Sequence, residues 1–179
     1  MEHISEQDRE ILRQLAYKQL EYSNCPRNDE ILKQWDALAN CRRESPTVRL
    51  LFSNFPGEVV YPRMRCTGQR ARELEAMLLS TLVGRELFDD DTPISPTFDI
   101  QWKTWVQPFG TQPHITRAEG EGAMGFHIDP IIEDLAEGMD LLPGGGFGVD
   151  REATAALEEA ATEAFGDILP VRKVMGSLT

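Results

Sequence analysis

Apolar positions recur at helical spacing through the first forty residues. Ile11, Leu12, Leu15, Ala16 and Leu20 form one stripe, and Ser5 with Asp8 three residues later has the pattern of a capping box. This helix is expected to stop before Pro26, whose ring disfavours helical backbone at Cys25. Asn28 or Asp29 can cap a second helix with Ile31, Leu32, Trp35, Leu38 and Ala39 on one face, closed off by Pro46. The run TVRLLF at 47–52 is β-branched at its start and lies between Pro46 and Asn54-Phe55-Pro56-Gly57, which suits a buried strand. From Thr67 onward, Ala71, Leu74, Met77, Leu78 and Leu82 predict a third helix, with Gly84 placed to end it in the left-handed conformation.

Period two takes over at 96–106, where Phe98, Ile100 and Trp102 alternate with Asp99, Gln101 and Lys103. Trp102 and Trp105, three apart, are expected on opposite faces of that strand. Residues 108–128 are rich in glycine and proline and read as loop with short extended pieces. Asp129-Pro130 is a cap followed by proline at the first helical position, predicting a helix through Ile131, Ile132 and Leu135 to Gly138. Pro143-Gly144-Gly145-Gly146 reads as a flexible joint. Asp150 then caps a helix with Ala153, Ala156, Leu157, Ala160, Ala161 and Phe165 inward, ended by Gly166, and 168–175 is a last strand. Strands alternating with helices indicate βαβ units and a parallel sheet. With about three strands, the sheet has open edges that something must cover. The expectation is an incomplete α/β fold whose remainder lies beyond Thr179.

Composition narrows the class. The 179 residues, 41% hydrophobic and 27% charged, suit one globular domain. No run approaches the ~18 to 20 apolar residues of a membrane span, and the N-terminus lacks a secretory h-region. Cys25, Cys41 and Cys66 form no CxxC pair, so neither a disulfide framework nor a zinc ribbon is indicated, and a cytoplasmic protein is expected. The net charge of -12 is uneven: residues 1–89 hold 13 basic and 14 acidic side chains, residues 90–179 hold 5 and 16. Such a field repels phosphate backbones and anionic lipid, which argues against nucleic-acid and membrane partners. The basic cluster Arg63, Arg65, Arg70 and Arg72 reads as a solvated loop and first helical turn.

Three stretches carry a family likeness. The opening ILRQLAYKQLEYSNCPRNDEILKQWDALANCRRESPTVRL, then VDREAT, then FGDILPVR resemble the corresponding parts of bacterial uroporphyrinogen decarboxylase-like proteins in texture and order. That family includes the haem-pathway decarboxylases and zinc-dependent, corrinoid-linked methyltransferases. The resemblance implies the N-terminal part of a (β/α)8 TIM-like barrel, with a helical extension at 1–45 and a partial barrel at 46–179 whose strands lie near 47–52, 96–106 and 168–175. It implies a lyase or methyltransferase parent acting on a small molecule, with this segment inactive alone and partnered by the remainder of the barrel or by a second copy. Thr97-Phe98-Asp99-Ile100 stands where the decarboxylases have Phe-Ser-Asp-Ile, so Asp99 is the candidate catalytic residue. Read from the residues alone, Asp99 is simply on the polar side of an alternating strand. The arginines that hold substrate carboxylates after the first strand are missing here, since LLFSNFPGEVV occupies that place. This favours the methyltransferase-like or uncharacterised branch. Zinc or a corrinoid belongs to the full-length parent, and this segment is expected to bind no cofactor and no metal. The alternative reading is a free-standing, non-catalytic protein-binding or dimerisation module.

Other chemistry is sparse. His127 and Asp129 lie two apart, on one face if extended, but two ligands are not a metal site and Asp129 is needed as a cap. His114 has no partner near it in sequence, and His3 lies in the terminus. Gly144-Gly145-Gly146-Phe147-Gly148 lacks the Lys-Ser/Thr pair of a phosphate loop and reads as a hinge. Asp89-Asp90-Asp91 lacks EF-hand spacing and reads as a solvated acidic loop.

Overall fold

Ser5 begins the first helix as its sequence requires. In the computed structural model the Ser5 side chain accepts the Asp8 N–H at 3.1 Å, and α1 runs Glu6–Ser23. The structure describes residues 4–42, 45–51, 55–107, 113–118, 125–138, 140, 142 and 144–175. Helix α2, Pro26–Ala39, starts from Cys25 rather than from Asn28 or Asp29, because Pro26 has no N–H to satisfy. Asn28 is used elsewhere: its amide donates to the Ser23 and Ile94 carbonyls at 2.9 and 3.0 Å and accepts the Ile94 N–H at 2.9 Å. Of the apolar face expected on α2, Ile31 is buried while Leu32 and Leu38 are exposed.

Residues 47–51 form no strand, contrary to expectation, and Phe52 lies outside the described residues. Their backbone is claimed by the acidic run instead. The Val48 and Leu50 N–H groups donate to the carboxylates of Asp91 and Asp90, each at 3.0 Å, and the Asp91 N–H returns to the Val48 carbonyl at 2.8 Å. Asp90 is buried, so this run is a structural clamp rather than a solvated loop.

A short helix α3, Pro56–Val59, and a 3-10 turn, Tyr61–Arg63, lead to α4, Gln69–Val83. Helix α4 does not end at Gly84. It continues through one π turn, Gly84–Phe88, and the left-handed residue is Asp89, at φ 47°. Gly84 is right-handed and serves close approach, since a Cβ there would sit 2.7 Å from Asp90 Oδ1.

The alternating segment splits in two. Strand β1, Phe98–Gln101, ends before Trp102, and β2, Thr104–Gln107, belongs to a different sheet. Phe98 and Ile100 are buried, whereas β2 residues 104–106 are exposed, so the two halves share no core face. After β2 come β3, Ile115–Arg117, β4, Phe126–Ile128, the short helix α5, Leu135–Gly138, β5, Gly146–Val149, helix α6, Arg151–Phe165, and β6, Val171–Val174. The described strands form three separate two-stranded sheets: β1 with β6 parallel, β2 with β5 antiparallel and β3 with β4 antiparallel. The fold is mixed α/β, as expected; no closed sheet and no barrel is seen among the described residues.

The chain divides into two compact units, one made of residues up to Gln101 and from Glu152 onward, the other of Trp102–Arg151. In the first, Leu12 and Ala16 of α1, Leu74 and Leu78 of α4, Phe98 and Ile100 of β1, and Leu157, Ala161 and Phe165 of α6 make one core. Phe98 and Phe165 meet edge to face at 5.0 Å. Each such leucine or phenylalanine contributes about 1.5–3 kcal/mol by leaving water. Two buried carboxylates hold the approach to α4. Glu75 accepts the N–H groups of Arg65 and Cys66 at 2.7 and 2.9 Å, and Asp8 accepts those of Thr67 and Gly68 at 2.9 Å each. Asp8 therefore tethers a distant loop through its carboxylate while its own N–H is capped by Ser5.

The second unit consists of ladders. Its stem closes where the Asp150 N–H donates to the Lys103 carbonyl at 2.8 Å and the Arg151 guanidinium lies 5.6 Å over the Trp102 ring. The glycine run is no hinge here: Gly146 and Gly148 are in β5, and Gly148 lies opposite Trp105, where a Cβ would come within 2.7 Å of the indole. Helix α5 starts later than predicted, with the Asp134 carboxylate accepting the Ala136 N–H at 2.8 Å, because Asp129 is drawn into the β3–β4 ribbon. Among the described residues no helix is long and apolar enough to cross a membrane.

Candidate functional site

The alternation of β1 sets the first candidate site. Phe98 and Ile100 turn to the helices, which leaves Asp99 on the opposite face. In the parallel register Asp99 stands beside Arg172. The Arg172 Nε and Nη2 donate to the two Asp99 oxygens at 2.9 and 2.8 Å, and the Thr97 hydroxyl adds a third bond at 2.9 Å. The guanidinium fork holds the Asp99 carboxyl below the usual carboxylate range, against the opposing effect of partial burial and with help from Thr97. A carboxylate so held stays ionised at neutral pH. It can accept N–H groups and stabilise a nearby cation, but it is a poor proton donor. With side-chain exposures of 35% and 54%, Asp99 and Arg172 remain reachable.

Gln101, on the same face as Asp99, borders a cavity of about 540 Å³ lined also by Arg49, Leu50, Val60, Ser80 and Thr81. Its wall combines apolar groups with hydroxyls, one amide and one guanidinium. Such a lining suits a small polar molecule.

A second cluster forms in the ribbon. The Asp129 N–H donates to the His114 carbonyl at 3.0 Å, extending the β3–β4 ladder by one pair. This sets His114 beside Asp129, with His114 Nδ1 2.6 Å from Asp129 Oδ2 and His127 Nε2 3.3 Å from Asp129 Oδ1. His114 thus has a partner fifteen residues away, which sequence proximity did not reveal. As the side chains stand, no three His, Cys, Asp or Glu donors among the described residues converge to hold a metal ion.

The basic cluster is internally satisfied. Arg63 pairs with Glu86 at 2.6 Å and Arg70 with Glu73 at 2.7 Å, while Arg65 reaches Gln14 and Arg72 the Cys66 carbonyl. Cys66 is no nucleophile: burial, then the neighbouring Glu75 and Asp8 carboxylates, pushes its thiol up to about 12. The three cysteines are free and supply no thiolate zinc site. His3 lies outside the described residues.

Sequence reading placed Asp99 but missed Arg172 and the joining of His114 to Asp129. Both depend on strand register, which no local sequence pattern reports. The chain matches no protein-family model, no curated protein and no solved structure.

Proposed function

We propose that these residues form the N-terminal part of a uroporphyrinogen decarboxylase-like barrel enzyme, of the methyltransferase-like or uncharacterised branch, acting in the cytoplasm on a small molecule. One observation carries the reading. The parallel β1–β6 pair, connected through α6, is covered by helices on its Phe98 and Ile100 face and open on its Asp99 and Arg172 face. In an α/β barrel the helix-free face lines the interior, where catalytic side chains sit at strand ends. Each strand of the pair also has a second edge with no strand on it among the described residues. Neighbouring strands of the barrel would occupy those edges.

In this role Asp99 contributes a fixed negative charge that receives N–H groups or a developing positive charge on the substrate. Zinc or a corrinoid would be held by parts of the parent outside these residues, since the three cysteines join no group of three metal donors among the described residues. The reading frame past codon 179 of the gene is the direct test. Further βα units there, with loss of turnover in full-length Asp99→Ala, support the reading; a stop codon after Thr179 overturns it. The purified 179-residue chain should turn over neither a tetrapyrrole polycarboxylate nor a methylated corrinoid.

A second reading, a module that binds another copy of itself, draws on the exposed Val106 and Phe147 of the β2–β5 ribbon. A dimer in sedimentation that Phe147→Ser disperses would favour it.

A further inference from the structure

We infer that the cavity beside Gln101 is a binding site for a small aliphatic amino acid, held as its zwitterion. This goes beyond the barrel reading, which names no substrate, and does not rest on it. The cavity, about 540 Å³, is lined entirely from the cored unit and has the size of a small-molecule site. Three kinds of wall meet there. The first is the Arg49 side chain, which has no ion pair or hydrogen bond among the described residues and so keeps its donors for a carboxylate. The second accepts. The hydroxyls of Ser80, Thr81 and Thr92 give their protons to the Ala76 carbonyl at 2.6 Å, the Met77 carbonyl at 3.2 Å and Asp90 Oδ2 at 2.8 Å. What remains on these three oxygens is lone pairs, which can only receive a donor from a ligand. The third wall is apolar, made by Leu50, Leu51, Pro56 and Val60.

The charge next to the accepting wall has the matching sign. The buried Asp90 carboxylate lies against Gly84, another lining residue, where a Cβ would come within 2.7 Å of Oδ1. The N–H groups of Leu50 and Thr92 and the Thr92 hydroxyl hold it in place without cancelling its charge. An ammonium group on that side therefore gains both acceptors and a negative field. Gln101, whose amide is also without a hydrogen bond among the described residues, can serve either end of the ligand. Gly84 begins the π turn, a distortion that recurs at functional sites. The lining thus discriminates by charge. A simple fatty acid would pair with Arg49 but leave the acceptors unmet and bring no cation to Asp90. An amine would leave Arg49 bare, and a phosphate ester would set two negative charges near Asp90. A carboxylate, an ammonium group and a short apolar side chain on one carbon answer all three walls.

The test is calorimetric titration of the 179-residue chain with L-leucine, isopentylamine and isocaproate, which share one apolar body and differ in their charged groups. Expected are one leucine per chain with a Kd of about 1 mM or lower, and at least about tenfold weaker binding of each analogue. Leucine should move the amide resonances of Leu50, Thr81, Thr92 and Gln101 and leave those of β2 and β5 in place. Arg49→Gln should weaken leucine at least about tenfold yet bind isopentylamine as the parent does, with unchanged circular dichroism. Arg42→Gln, outside the lining, should bind leucine as the parent does. No saturable leucine binding up to about 10 mM, isocaproate bound as tightly as leucine, or undiminished affinity in Arg49→Gln would overturn the proposal. A stop codon after Thr179 would end the barrel reading and leave this site standing.

Discussion

The two units of this chain are built by different means. The discontinuous unit buries Leu12, Leu74, Leu78, Ile100 and Phe165 completely or nearly so, and two carboxylates inside it satisfy four successive backbone N–H groups. The inserted unit, Trp102–Arg151, has no buried hydrophobic side chain among its described residues, and Phe147 is 85% exposed. One is held by apolar burial around a helix–strand layer. The other is held by ladder hydrogen bonds and cross-strand pairs such as Trp105 over Gly148. Two-stranded ribbons of that kind are marginal by themselves. The contrast shows that regular pairing and stability are separate achievements.

Breaking the core should have the largest effect. Leu74→Ala is expected to lower unfolding stability by about 2–5 kcal/mol in urea titration. Val106→Ala in the ribbon should change it by no more than about 0.5 kcal/mol. Equal losses at the two sites would erase the distinction.

Next comes the buried Asp8. Asp8→Ala strands the Thr67 and Gly68 N–H groups and should cost about 1–3 kcal/mol. Burial pushes the Asp8 carboxyl up, but the Gly68 and Thr67 N–H groups and the Ser5 and Thr67 hydroxyls outweigh it, so its folded pKa is lowered. The native state therefore binds this proton less readily than the unfolded chain. The associated stabilisation is complete above about pH 4 and drains away as pH falls through the folded value. Chemical denaturation from pH 6 to 2 should show a shallower acid limb in the variant.

Gly148→Val sharpens the comparison from the other side. Crowding Trp105 should speed amide exchange at 104–107 and 146–149 while leaving the amides of α1 and α4 as they were. The smallest effect is expected at Asp99. Its pair with Arg172 is partly exposed, so Asp99→Asn should change stability by less than about 1 kcal/mol. A larger loss would make Asp99 a structural residue and weaken its candidacy as a functional one.

Much of the cored unit was legible in sequence, because periodicity reports burial directly. The stripes of α1, α4 and α6 and the alternation of Phe98, Asp99 and Ile100 follow from it, while the strand at Val171–Val174 was expected from the apolar run at 168–175. The TVRLLF run misled because β-branched residues mark extended backbone without saying what that backbone bonds to; here it is the carboxylates of Asp90 and Asp91. Gly84 and Gly148 were misread for a related reason. Both serve close approach of a distant side chain, which local turn chemistry cannot register. The candidate sites show the same limit. Asp99 was singled out by the resemblance of Thr97-Phe98-Asp99-Ile100 to a family motif, its strand showing only that it is on the polar side, whereas Arg172 and His114 become partners only when strands sixty or more residues apart, or on opposite arms of a ribbon, settle into register.

The stem of the inserted unit has a consequence for how the chain tolerates change. The Lys103–Asp150 hydrogen bond and the Arg151–Trp102 contact close the excursion where it begins, so the passage from β1 into α6 is topologically a short one. Once zipped, the intervening length no longer counts against the parallel pair, sparing on the order of 3 kcal/mol of ring-closure entropy for some fifty residues. The segment between these closing contacts can therefore lengthen or diverge with little direct cost to the β1–β6 pairing.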